Sequence, residues 1–135
     1  MLIRERKRVM RKEELLKTIG DLNLDKKKYC IIASGVMVMY GLKDECSDID
    51  LRVSKDLFEV LLKKYNMKQS SRYDYVYELG NNIDVNCRNF NSDVISFIDG
   101  YPVESLELQL KWKEENNRPK DQEDIRLIKE YLKRL

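Results

Sequence analysis

The alternation of apolar and polar positions is cleanest between Asp48 and Val53, where Ile49, Leu51 and Val53 take one face and Asp48, Asp50 and Arg52 the other. Period two is the signature of a half-buried strand. Upstream, Tyr29 to Ala33 is a short, nearly continuous apolar run that predicts a buried strand. Ser34-Gly35 breaks it, and Val36 to Tyr40 reads as a short helix closed by Gly41. From Val9 to Leu22 the residues Leu15, Leu16, Ile19 and Leu22 recur at helical spacing. Ser54 stands where a helix N-cap belongs, ahead of Leu57, Phe58, Leu61, Leu62 and Tyr65. A hairpin follows: Tyr73, Tyr75, Tyr77 and Leu79 alternate with Asp74, Val76 and Glu78, Gly80-Asn81-Asn82 turns, and Ile83 to Cys87 returns as a strand.

Beyond the hairpin the pattern predicts a loop with a helical turn near Ile95 to Ile98, then a helix from Val103 to Glu115 with Trp112 in an interhelical core. A final helix starts near Pro119 and carries Ile125, Ile128, Leu132 and Leu135 on one stripe, so residues 103–135 are expected as a helical pair. The order helix, strand, helix, strand, helix, hairpin, helix, helix predicts one α/β domain over 1–135: a small mixed sheet flanked by helices. No internal repeat is present, and 135 residues suit a single core.

Composition narrows the chemistry more than the fold. The chain has no histidine, which removes Ser-His-Asp and Cys-His nucleophiles, His-ligated zinc and His acid–base catalysis. Cys30, Cys46 and Cys87 are odd in number and widely spaced, which supports neither a zinc site nor a disulfide framework. Carboxylates, lysines, arginines, backbone amides and a metal remain. Net charge is only +2, yet residues 1–12 hold six basic side chains against Glu5. That basic arm reads as a solvated helix end or as an RNA or phosphate contact. No apolar run is long enough to cross a bilayer, and the basic start lacks the apolar core of a signal peptide, so the expected place is the cytoplasm, with no membrane partner.

Three features point to one kind of site. Ser34-Gly35 follows a buried strand and opens a helix, where free N–H groups and the positive helix end suit a phosphate. Asp48 lies thirteen positions past Gly35, and Asp50 shares its strand face. Asp84 sits on another strand, with Ile83 and Val85 toward the core. Converging carboxylates repel unless a cation neutralises them, and a hard cation with oxygen ligands, Mg²⁺ or Mn²⁺, can also hold a triphosphate. Each residue also has a plainer reading: exposed aspartates for Asp48 and Asp50, a post-turn residue for Asp84, and helix-dipole partners for Asp121 and Asp124. Tyr73, Tyr75 and Tyr77 read as a packed hairpin face ahead of a base-stacking platform. Arg52 pairs either with the aspartates or with phosphate.

With these residues in view, IIASGVMVMYGLKDECSDIDLRVS (31–54) resembles the signature of the DNA polymerase β-like nucleotidyltransferase superfamily. A Gly-Gly or Gly-Ser pair there opens a helix, a later Asp-x-Asp binds metal, and a third carboxylate lies on a neighbouring strand, as IDVN places Asp84. Ser34 stands for the usual first glycine. The stretch LELQLKWKEENNRPKDQEDIRLI (106–128) is similar to a segment of small aminoglycoside- and lincosamide-type nucleotidyltransferases and of toxin-like relatives linked to abortive infection.

The resemblance implies transfer of a nucleoside monophosphate from an NTP to an acceptor hydroxyl or phosphate, on a small molecule or an RNA 3′ end. Asp48, Asp50 and Asp84 would be catalytic and metal-binding. Ser34, Gly35, Lys111, Lys120 and Asp121 would face the nucleotide, although Lys111 also reads as a snorkelling surface lysine. The alternative is a catalytically silent nucleotide- or partner-binding module, such as one half of a toxin–antitoxin pair. A small acceptor would need a cleft made by loops or by a homodimer partner.

Overall fold

Strand β4 (Ile49–Val53) forms where the alternation predicts it, with Ile49, Leu51 and Val53 fully buried and Asp50 and Arg52 half-buried. The computed structural model describes residues 9–135. Residues 1–8 of the basic arm lie outside the described residues. The chain runs β1 (Met10–Arg11), α1 (Lys12–Gly20), β2 (Tyr29–Ile32), α2 (Ser34–Met39), β3 (Glu45–Cys46), β4, α3 (Lys55–Lys64) and β5 (Lys68–Gln69). It continues through β6 (Tyr77–Leu79), β7 (Ile83–Asn86), β8 (Ile95–Ile98), β9 (Tyr101–Glu104), α4 (Leu106–Asn116) and α5 (Gln122–Lys133), with 3₁₀ turns at Ser92–Val94 and Pro119–Asp121.

Seven strands make one mixed sheet in the order β5-β6-β7-β4-β2-β9-β8, while β1 and β3 pair separately. β2 lies antiparallel to β4 and parallel to β9, and β4 lies parallel to β7. The core holds Ile31, Leu51, Val85 and Val103 from the sheet with Leu15, Ile19, Val36 and Met37 from α1 and α2. Gly35 is needed for this packing: a Cβ there would stand 2.7 Å from Ile31 Cγ2. Ser54 caps α3, its Oγ accepting from the Leu57 N–H at 3.3 Å, a contact worth about 1 kcal/mol.

Several expectations are corrected. Ile95–Ile98 is a strand, not a helical turn, and it returns through Asp99-Gly100 to β9. Both turn residues have positive φ (53° and 82°), the two-residue geometry whose twist suits a hairpin. The helical pair therefore begins at Leu106, because Val103 and Glu104 belong to β9. Tyr73 and Tyr75 lie in a loop, since β5 is only two residues long and offers them no partner; only Tyr77 reaches the ladder, packing on Phe58. Leu62 and Trp112 are 40% and 47% exposed, and Leu135 ends outside the core at 84%. The three cysteines are free thiols. Among the described residues no helix is long and apolar enough to cross a membrane.

Candidate functional site

The register across the middle of the sheet sets the acidic residues side by side. Asp50 of β4 is the Cα partner of Asp84 of β7, and Asp84 is in turn the partner of Glu78 of β6. Paired residues of neighbouring strands share a face, so Glu78, Asp84 and Asp50 form a row across three strands. On the far side of Asp50 the row continues to Ile32 of β2. Asp48 is half-buried at the entry to β4, two positions before Asp50. Each of these four carboxylates engages a partner in the structure. Among the described residues no three His, Cys, Asp or Glu side chains stand grouped as a metal shell. Glu78 was not singled out from the sequence; its place opposite Asp84 in the hairpin was the available signal.

The strand–turn–helix stands at the same end of the sheet. β2 ends at Ile32, beside Asp50, and the chain turns through Ala33 into α2. Ala33 has φ 58° and ψ −136°, a conformation that ordinarily belongs to glycine. Such strain persists only where the surroundings over-determine it, and it clusters at sites that hold ligands. Ser34 is half-buried at the first position of α2, and the Val36 N–H already donates to Ala33 O at 3.0 Å. Gly35 is buried one step further in, against Ile31 and Leu15.

One row along from Asp50 on the same face is Arg52, the partner of Cys30 and Asn86. Its guanidinium NH1 donates to Glu104 Oε2, and Glu104 Oε1 accepts from Gln109 Nε2 at 2.6 Å. Burial pushes the Glu104 carboxyl up while Arg52 draws it down, the upward effect being the larger. Burial and the neighbouring Glu104 together push the Cys30 thiol up to about 12, so Cys30 is an inert filler. Arg52 Nε is buried and has no hydrogen-bond partner among the described residues.

In the C-terminal segment Lys111 and Lys120 face solvent and Asp121 is buried. Lys111 points outward, its side chain 72% exposed and 4.0 Å from Glu115, and Lys120 is exposed as well. The inward lysine of α4 is Lys113, which reaches Asp124 at 3.3 Å and Asp121 at 3.5 Å. Asp121 is 3% exposed and also accepts from Arg118, at 2.5 Å to Nε and 3.0 Å to an Nη. Asp124 meets Lys43 at 2.8 Å, which ties α5 to the segment leading into β3 and β4. Asp121 is thus held within a buried ion network. The sequence offered two lysines two positions apart on α4, and only the packing of α5 chose between them.

No protein-family model matches the chain, and no curated protein does. Among solved structures, a crystal structure from Thermotoga maritima, described as a "putative nucleotidyltransferase", superposes with a TM-score of 0.58. The match covers 93% of this chain and 97% of that one at 17% identity. The chain therefore has the nucleotidyltransferase-like α/β fold anticipated from its motifs.

Proposed function

We propose that this protein is a divalent-cation-dependent nucleotidyltransferase, moving a nucleoside monophosphate from an NTP to an acceptor hydroxyl or phosphate. The observation that carries the reading is the partnership of Asp50 with Asp84 on neighbouring parallel strands, at the sheet end where Ala33 and Ser34 turn into α2. Asp48, Asp50 and Asp84 are all carboxylates, the oxygen-donor chemistry that a hard cation such as Mg²⁺ or Mn²⁺ takes, and the Asp50–Asp84 register brings two of them level, although the three do not stand grouped as a metal shell among the described residues. Bound there, such a cation supplies Lewis-acid polarisation of phosphate oxygens and lowers the pKa of an attacking hydroxyl.

The chain's own groups divide the remaining work. Ser34 and the backbone N–H groups opening α2 bind phosphate oxygens. In the transfer, the acceptor oxygen bonds to the α-phosphorus, the bond from that phosphorus to the bridging oxygen breaks, and pyrophosphate leaves. Asp84 takes the proton of a hydroxyl acceptor.

Calorimetric titration of each NTP with Mg²⁺ into wild type and into Asp48→Asn/Asp50→Asn tests the reading. Metal-dependent binding that vanishes in the double variant is the expected result, and a labelled-NTP search for acceptors follows from it. A folded wild type that binds no nucleotide would overturn it. Nucleotide binding with no transfer to any acceptor would assign the silent nucleotide-binding module instead.

A further inference from the structure

The sheet has two edges, and they are built differently. β5, at one end of the strand order, is two residues long and begins with Lys68. Shortness and a lysine are ordinary means of keeping an edge from pairing. β8, at the other end, reads Ile95-Ser96-Phe97-Ile98, and no charge, proline or glycine interrupts it. Its strand partner among the described residues is β9 alone.

The outward side of β8 presents main-chain hydrogen-bonding groups. The Ser105 N–H donates to Val94 O at 2.9 Å, so Val94 turns its carbonyl toward the β9 side. Alternation along an antiparallel ladder then turns Ser96 and Ile98 the same way, and Ile95 and Phe97 outward. Pro102 agrees, because it stands opposite Phe97 and has no N–H to give. The Ile95 N–H donates to Ser92 O in the preceding turn, which leaves Phe97 as the residue that offers both a donor and an acceptor. Its side chain is exposed as well, at 61%.

The two ends of the strand differ in charge. Asp93 precedes it and is exposed, and the bond from Ser105 to Val94 brings the exposed Glu107 of α4 to the same end. At the hairpin end Lys12 and Lys26 stand against Asp99. Lys12 meets Asp99 at 2.6 Å, and Lys26 Nζ lies 3.6 Å from where a Cβ on Gly100 would stand. An edge that starts acidic and finishes basic is complementary to itself run backwards, which selects a second copy of the chain as its partner.

We propose that β8 pairs antiparallel with the β8 of a second copy, about a two-fold axis beside Phe97. Each Phe97 N–H donates to the Phe97 carbonyl of the other copy, and the two rings cover each other on one face of the joined sheet. The same register sets Asp93 of each copy beside Gly100 and Lys26 of the other. No residue of the acidic row takes part, so the contact stands apart from the transferase reading.

Sedimentation velocity of the full chain from about 1 to about 200 μM tests it. A monomer–dimer equilibrium is expected, with a dissociation constant on the order of 10 μM, in the weak range of a small interface. Phe97→Pro removes the outward N–H without taking a bond from β9, so it should keep the circular dichroism of wild type and weaken the dimer by about tenfold or more. Lys26→Glu and Asp93→Lys each weaken it by on the order of fivefold, and the two together restore it to within about twofold of wild type. Both positions are on the surface, so these variants decide the matter if Phe97→Pro does not fold. A wild type that stays monomeric throughout would overturn the proposal and leave the edge to a strand of another protein. A dimer indifferent to Phe97→Pro, or to both single charge variants, would also overturn it, placing the contact on another face. Charge variants that the double exchange does not rescue would overturn the two-fold register.

Discussion

Lys113 of α4 and Asp121 of the turn before α5 face each other at 3.5 Å, with side chains 8% and 4% exposed. A lysine is buried to this extent only when it is paired, and here it serves two carboxylates, since Asp124 stands 3.3 Å away. The pair fixes how the last two helices join, and through Asp124 and Lys43 it fixes them to the approach to the acidic strand.

Removing that lysine leaves two acids under-compensated in the interior. Lys113→Ala is expected to lower unfolding free energy by about 3 kcal/mol. Lys111→Ala, two positions away but exposed, should stay within about 0.5 kcal/mol of wild type. Urea unfolding of the two variants side by side measures this, and equal losses would refute the network's role.

Asp121 also predicts an acid dependence. The hydrogen bond from Arg118, helped by Lys113 and opposed by burial, holds its carboxyl below the ordinary aspartate value. Its folded pKa is then lower than its unfolded pKa, so the unfolded chain binds more protons between the two. The stabilisation is complete above the ordinary aspartate value near about pH 4 and fades as pH falls through the depressed one. Urea midpoints of Asp121→Asn should be lower than wild type at neutral pH and fall less steeply below about pH 4. Asp56, drawn down to about 2 by Lys28 and Ser54, titrates in the same region at the surface and contributes to both curves alike. Identical acid slopes in wild type and variant would contradict the assignment.

Glu104 offers a contrast, because both its oxygens are used. Glu104→Ala strands the Arg52 guanidinium and is expected to cost about 3 kcal/mol. Glu104→Gln keeps an acceptor for Arg52 and, with Gln109 turned over, keeps the second hydrogen bond, so its loss should be about 1 kcal/mol. Thermal unfolding of both variants distinguishes them; an equal loss would mean that charge, rather than the missing hydrogen bonds, dominates.

The turn into α2 gives the sharpest local test. Gly35→Ala drives a methyl to 2.7 Å from Ile31 Cγ2 and should cost about 1–3 kcal/mol. Ala33→Gly relieves a backbone with φ 58°, offset by the greater freedom of glycine in the unfolded chain, and should change stability by no more than about 1 kcal/mol in either direction. A large loss at Ala33→Gly would show that the Ala33 methyl packs into the site.

Local signals along the chain are legible where they are strong. Ile49, Leu51 and Val53 alternate without interruption, and Ser54 precedes an apolar helix pattern, so the Asp-x-Asp strand and its following helix were legible. The β8–β9 hairpin was missed although Asp99-Gly100 is a hairpin turn pair, because Ile95, Phe97 and Ile98 fit no clean period. Helix α4 misled for a related reason. It buries Leu106, Gln109 and Lys113 and exposes Trp112, so polarity along the chain points to the wrong face.

By itself the sequence determined which segments are strand and helix around the site and which residue types could do chemistry there. Those are properties of short stretches, written in alternation, capping and the absence of histidine. Only the tertiary structure decided that Asp84 lies level with Asp50 and Glu78 beside it, that Lys113 rather than Lys111 turns inward, and that Tyr73 and Tyr75 meet at the surface. Strand order, register and helix docking depend on contacts between residues far apart in the chain, and a pattern read along one segment carries no information about its partner.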